Sequence, residues 1–196
     1  MVIADIEKHF TVETFWEFVE LPENQGRRFE LDEGVIIEMP PSRPINSIVA
    51  MRIGHLLNVF VIPRNLGYIT GADGGYRVGP KKVRQPDVGF ISRARLPNIP
   101  DRIEIAPDLA VELVSETEDI LKKAHEYLIA GTKVVWAVYS DDREVWAMRL
   151  DADGKIVTEI FDVEATLTCE DVLPGFTLKV RDIFPLEAES EGDELL

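Results

Sequence analysis

The chain is short of the residues on which many small-domain chemistries depend. It has one cysteine, Cys169, and three histidines, His9, His55 and His125, among 196 residues. A single cysteine excludes an internal disulfide framework and cannot build a cysteine-based zinc site alone. The histidines show no ligand spacing relative to one another. Bases are scarce too: 21 Lys and Arg stand against 36 Asp and Glu, a formal net charge of −15. That balance argues against broad, sequence-blind binding to a polyanion, which depends on surface Lys and Arg. No apolar run approaches the roughly 20 residues of a bilayer span. The opening "MVIADIEKHF" lacks the regions of a signal peptide. The expectation is a cytoplasmic protein with no membrane partner.

What is present suits a globular domain of moderate size, with 45% apolar and 29% charged residues. Part of the acidity is local, because "LEAESEGDELL" holds five acids and no base. The organisation expected is one domain over residues 1–185 and a disordered acidic tail over 186–196.

Periodicity and turn signals sketch the elements. "TVETFWEFVEL" reads as a helix capped by Thr11, and "RRFELDEGVIIEMPP" as a hairpin around Asp32-Glu33-Gly34. Apolar positions from Ile45 to Phe60 trace one helical face. Strands are expected near Tyr68–Thr70, Tyr76–Val78 and Pro86–Ile91. A further strand, "LAVELV", precedes a helix expected to be capped by Thr117, with Glu118 and Asp119 in its first turn and Gly131 past its end. "KVVWAVYS", "EVWAMRL" and "KIVTEIF" are three more strands, and "LPGFTLKVRDIF" closes the fold. The stretch from Leu109 to Ser140 allows one parallel crossover. The fold class is α/β: a mixed central sheet flanked by helices, with an N-terminal hairpin and additional antiparallel strands.

One residue stands out. Glu112 sits inside the apolar run "PDLAVELVS", where an ionised carboxylate costs several kcal/mol unless something charged meets it. By period two it shares a side with Ala110 and Val114, opposite Val111 and Leu113. A second acid, Asp87, opens the strand in "RQPDVGFIS". If the two strands are neighbours, Asp87 and Glu112 converge, and two close carboxylates call for a cation between them. Hard oxygen ligands suit Mg²⁺ or Mn²⁺. On the following helix, Lys123 flanks the apolar stripe of Ile120, Ala124, Tyr127 and Leu128 and reaches inward. Lys122 lies on the wet face, four residues from both Glu118 and Glu126.

These residues resemble the PD-(D/E)XK superfamily of restriction-endonuclease-like folds. The usual lysine, two residues after the acid, is replaced here by Val114. The chain is similar to a subgroup that carries it on the following helix, a large bacterial family of candidate endonucleases first catalogued as a domain of unknown function. The likeness covers "RFELDEGVIIEMPPS", "QPDVGFIS", "PDLAVELVSETEDILKKAHEYLIAGTKVVWAVYS" and "EDVLPGFTLKVRDIF". It implies Asp87, Glu112 and Lys123 as catalytic residues, with Asp87 and Glu112 as ligands of Mg²⁺ or Mn²⁺. Glu30, in "RFELDEG", matches an N-terminal acid that often lies near the site. Members commonly have a histidine where this chain has Asn46, which leaves its activity in question. The implied reaction is metal-dependent hydrolysis of phosphodiester bonds in nucleic acid, DNA before RNA, and cutting both strands of a duplex would be simplest for a homodimer. Lys81, Lys82 and Arg84 would supply a local basic rim.

Duller readings compete. Asp87 could simply start a strand, Glu112 could pair with a buried base, and Lys123 could snorkel from a helix edge. Glu30 could pair with Arg27 or Arg28 across the hairpin, and Asp108 reads as a turn residue. His125, beside Glu126, reads as a solvated residue on a polar face. Two other functions stay open. One is a catalytically inactive binding or regulatory protein on the same fold. The other is an unrelated hydrolase using Asp87 and Glu112 as an acid/base pair.

Overall fold

A computed structural model describes residues 9–115 and 119–186. The Thr11 hydroxyl accepts from the Thr14 N–H at 3.2 Å and caps α1 (Val12–Val19) as expected. The hairpin follows as β1 (Phe29–Asp32) and β2 (Val35–Glu38). Its two-residue turn needs positive φ at both positions, and Glu33 (48°) and Gly34 (85°) supply it. Then comes α2 (Pro44–Arg64), which starts on a proline, continues through Pro63 and ends where Asn65 adopts a left-handed conformation. By length and composition α2 could cross a membrane, which corrects the reading that no run approaches that length. One face of it, Val49, Ile53, Leu57 and Val61, is part of the protein core.

Seven strands and one helix come next in chain order. They are β3 (Gly67–Gly71), β4 (Tyr76–Gly79), β5 (Lys82–Arg84), β6 (Val88–Ser92), β7 (Leu109–Leu113), α3 (Ile120–Ile129), β8 (Val134–Tyr139) and β9 (Glu144–Leu150). β10 (Ile156–Phe161), β11 (Thr166–Thr168), β12 (Thr177–Lys179) and a 3-10 turn complete the described chain. The short strands β5 and β11 were not foreseen. The N-cap of α3 is Asp119, which accepts from the Lys122 N–H at 3.0 Å, and not Thr117. Thr117, Glu118 and the acidic tail from residue 187 lie outside the described residues.

The central sheet has six strands in the order β10-β9-β8-β7-β6-β3. Its one parallel pair, β7 with β8, is the crossover made by α3. On one face of this sheet α2 packs against Leu109, Val111, Leu113 and Trp136. On the other, α3 packs through Ile120, Ala124, Tyr127 and Leu128 against Ala110, Val135 and Ala137. Burial on both faces explains the lack of alternation in "LAVELV". A second, four-stranded sheet, β2-β1-β5-β4, brings the hairpin up to α3. Its other face meets α1 through Phe29, Leu31 and Val83.

Candidate active site

β6 and β7 are antiparallel neighbours, with Val88 opposite Val111 and Gly89 opposite Ala110. Continuing this register by one residue brings Asp87 across from Glu112. The ladder stops there, and the Asp87 carboxylate accepts the next main-chain N–H, that of Leu113, at 2.8 Å. Small residues lie beside the pair: Ala137 is the β8 partner of Glu112, and Gly89, the β6 partner of Ala110, has no side chain. A Cβ on Gly89 would lie 2.7 Å from both the Thr70 and Tyr76 hydroxyl oxygens, so this approach needs glycine.

Glu112 is 2% exposed and Lys123 7%. The Lys123 Nζ donates to Glu112 Oε2 at 3.0 Å, while the Tyr127 hydroxyl donates to Oε1 at 2.8 Å. Lys123 and Tyr127 come from one face of α3, the face the helical period assigns to the interior. Burial first, then the Glu112 and Glu30 carboxylates, hold the Tyr127 hydroxyl well above its ordinary pKa, so it remains a donor. Lys122 is half-exposed and binds Asp32 at 2.8 Å. The two lysines therefore separate as their spacing implies.

Glu30 is buried, but its partners are neither Arg27 nor Arg28. Its Oε2 takes the Arg84 guanidinium at 3.1 Å, and its Oε1 takes the Gln85 N–H at 3.0 Å with Lys123 Nζ at 3.4 Å. Arg27 instead binds Glu38 through two hydrogen bonds. Pairing across β1 and β5 created the Arg84 contact, and β5 was the strand the sequence did not announce. Glu126 is the second residue sequence reading misplaced. It is 4% exposed, accepting from Arg84 Nε at 3.0 Å and from Lys82 Nζ at 2.6 Å. His125 beside it is exposed, as expected. Arg84 and Lys82 are thus spent on carboxylates, so the expected basic rim does not form from them. Asp108 has the turn role expected of it, accepting from the Ser92 N–H and from Arg95.

Asp87, Glu112, Lys123 and Asn46 line one cleft of about 150 Å³, together with Arg28, Gln85 and the segment Met39–Arg43. Glu30 opens on the adjoining cleft, which shares Lys123. Asn46 is held by the Ser140 hydroxyl at 2.8 Å. Among the described residues, no group of three or more His, Cys, Asp or Glu could hold a cation. The donor set of the cleft is two carboxylates plus a neutral oxygen, Gln85 Oε1, which is buried without a hydrogen-bond partner. A hard ion such as Mg²⁺ is commonly held by one or two carboxylates, with water and substrate phosphates completing its shell. The residues present fit such an ion.

The chain as a whole has relatives. A family model described as "Uma2: Putative restriction endonuclease" matches residues 15–181. The chain belongs to the Uma2 family. No curated protein matches it. Among solved structures it is similar to a protein of Anabaena variabilis described as a putative nuclease belonging to DUF820. The identity is 24% over 89% of this chain and 97% of that one, with a TM-score of 0.75. The mixed α/β architecture is shared with that protein.

Proposed function

We propose that this member of the Uma2 family is a divalent-metal-dependent endonuclease that hydrolyses phosphodiester bonds of DNA. The observation that carries the reading is the antiparallel register of β6 and β7. It sets Asp87 across from Glu112 on one cleft, with Lys123 Nζ 3.0 Å from the Glu112 carboxylate. Asp87 and Glu112 would hold Mg²⁺ or Mn²⁺, and the amide oxygen of Gln85 is a third candidate ligand. When bound, such an ion polarises a phosphoryl oxygen and lowers the pKa of a coordinated water. The chain's own contributions are positional. Tyr127 and Lys123 fix the Glu112 carboxylate from two sides, and the Leu113 N–H fixes Asp87. The Lys123 ammonium, anchored between Glu112 and Glu30, supplies positive charge for the attacking water or for phosphoryl oxygens.

The decisive experiment incubates plasmid and labelled oligonucleotides with the protein in Mg²⁺ or Mn²⁺. Wild type should cut internally, and Asp87→Asn should not. Lys123→Ala should abolish hydrolysis, while Lys122→Ala leaves it nearly intact. Equal losses in both lysine variants would overturn the assignment of Lys123. A second reading has one observation in its favour: Asn46, at the position where the family resemblance implies a histidine, stands in the cleft wall. On that reading the cleft binds nucleic acid without cutting it, and wild type would bind oligonucleotides but release no fragments. A homodimer is part of the proposal, since two sites related by symmetry suit two strands. Ile48, Met51, Val59 and Ile62, exposed along α2, offer a face for the second copy.

A further inference from the structure

A protein with net charge −15 that takes a polyanion into a cleft floored by two carboxylates gains, beside the metal ion and Lys123 at the reacting phosphate, from a cation there that no carboxylate already engages. Most cations around the cleft do not meet that condition. Lys123 serves Glu112 and Glu30, Arg84 serves Glu30 and Glu126, and Lys82 serves Glu126 and Glu33. Lys122 binds Asp32, and Arg43 binds Asp141 through two hydrogen bonds.

Arg28 differs. It lines the same cleft as Asp87 and Glu112, yet its side chain makes no ion pair or hydrogen bond among the described residues, and its Nε is buried without an acceptor. Its main chain is fixed, since the Arg28 carbonyl accepts the Met39 N–H at 2.9 Å at the open end of the hairpin. Two residues on, Glu30 points the same way by strand alternation and enters the charged cluster behind the site. Arg28 stands one step nearer the Pro40–Ser42 segment, at the cleft. A buried guanidinium N–H without an acceptor is costly, and an anion with two equivalent oxygens would satisfy it.

We propose that Arg28 is the phosphate-contacting residue of this cleft, gripping a backbone phosphate of the bound strand through the fork of its guanidinium. The inference rests on the reading that the cleft takes nucleic acid, but it does not require that the strand be cut. A phosphodiester presents two non-bridging oxygens, which match a planar guanidinium better than a lysine ammonium. Such a contact carries no base information, so its loss should weaken binding equally across sequences.

The test is fluorescence anisotropy with labelled duplexes of natural phosphodiester backbone, with Ca²⁺ in place of Mg²⁺ so that binding is read without hydrolysis, titrated across salt concentrations. Arg28→Ala should weaken binding roughly ten-fold or more and uniformly across sequences. It should also flatten the salt dependence by about one ion, a change of roughly 0.9 in the log–log slope. Arg28→Lys should restore the slope but only part of the affinity. Arg27→Ala is the internal control, because Arg27 is bound to Glu38 outside this cleft, and it should match wild type. Melting temperatures of all variants accompany the titrations, and Arg28→Lys carries the test should Arg28→Ala unfold. If wild type binds and Arg28→Ala binds equally with the same slope, the role of Arg28 is overturned and the nucleic-acid reading survives. If wild type binds no oligonucleotide, both fall together.

Discussion

Glu112 and Glu126 are two glutamates buried to nearly the same degree, at 2% and 4% exposure, on neighbouring stretches of chain, yet their charges are handled differently. Glu126 meets three cations, with Arg84 clasping it through Nε and Nη2, Lys82 closing on its other oxygen and Lys122 3.8 Å from that same oxygen. Burial favours loss of the proton from Arg84, but Glu30, Glu126 and Asp32 outweigh it and hold the guanidinium more firmly protonated than usual. Among the described residues, the Glu112 carboxylate is met by Lys123, shared with Glu30, and by the neutral Tyr127 hydroxyl, while Asp87 faces it across the strands. The first arrangement is closed in charge and geometry. The second opens on a cleft and leaves room for a cation. Lys123 stands on the seam, tying the catalytic candidate to the structural cluster. On the proposed function, a charge buried for architecture and one buried for chemistry differ in what surrounds them, not in how deep they lie.

The contrast breaks most visibly at Glu126. Glu126→Gln keeps the volume but removes the carboxylate nearest to both Arg84 and Lys82, which, among the described residues, only Asp32 then bridges, at 3.0 and 3.6 Å. The expected cost is about 3–5 kcal/mol of folding stability, the same with and without Mn²⁺. Urea denaturation curves measure it. A loss below about 1 kcal/mol would mean that the cluster is ornamental.

Glu112→Gln sharpens the comparison from the other side. Lys123 retains Glu30 as a partner, and Tyr127 can still donate to the amide oxygen. The metal-free variant should therefore lose no more than about 1.5 kcal/mol. It should also lose most of the thermal shift that Mn²⁺ gives wild type, because a ligand stabilises a protein by binding its native state. A variant that is as damaged as Glu126→Gln, with no Mn²⁺ shift in wild type, would make Glu112 a structural residue.

Much of this layout was legible in the sequence. Glu112 announced itself as a charge inside an apolar strand, and Lys123 as a base between Ile120, Ala124 and Tyr127. Both inferences are local and follow from the two periods of strand and helix. What stayed hidden was long-range. Arg84 meets Glu126 across 42 positions and Glu30 across 54, contacts made by the strand order β2-β1-β5-β4. "KVR" is too short to display a period, so β5 and its pairing could not be read. Glu126 was partly recoverable: three residues after Lys123 it lies about 60° away around the helix, nearer to the inward lysine than to exposed His125. Arg28 carries no local signal, since its distinction is to lack, among the described residues, the kind of partner that the fold gives to its neighbour Arg27.

The smallest effect tests the neutral half of the Glu112 environment. The Tyr127 hydroxyl is raised well above its ordinary pKa by burial and by the nearby Glu112 and Glu30 carboxylates. In the unfolded chain the same hydroxyl ionises near pH 10. Below that pH both states hold the proton, and the buried hydrogen bond contributes fully. Above it the unfolded chain sheds a proton that the folded protein keeps, so stability falls by about 1.4 kcal/mol per pH unit. Tyr127→Phe removes the hydrogen bond, costing about 1 kcal/mol at neutral pH, and removes this alkaline loss with it. Other groups, including Lys82, contribute equally to both proteins. The stability curves should therefore start about 1 kcal/mol apart, converge above pH 10 and cross roughly one unit higher. Urea midpoints taken from neutral pH to pH 11 would show this. Curves that stay parallel throughout would mean that the Tyr127 hydroxyl ionises equally in both states, and that Glu112 is not held by a neutral donor in the way described.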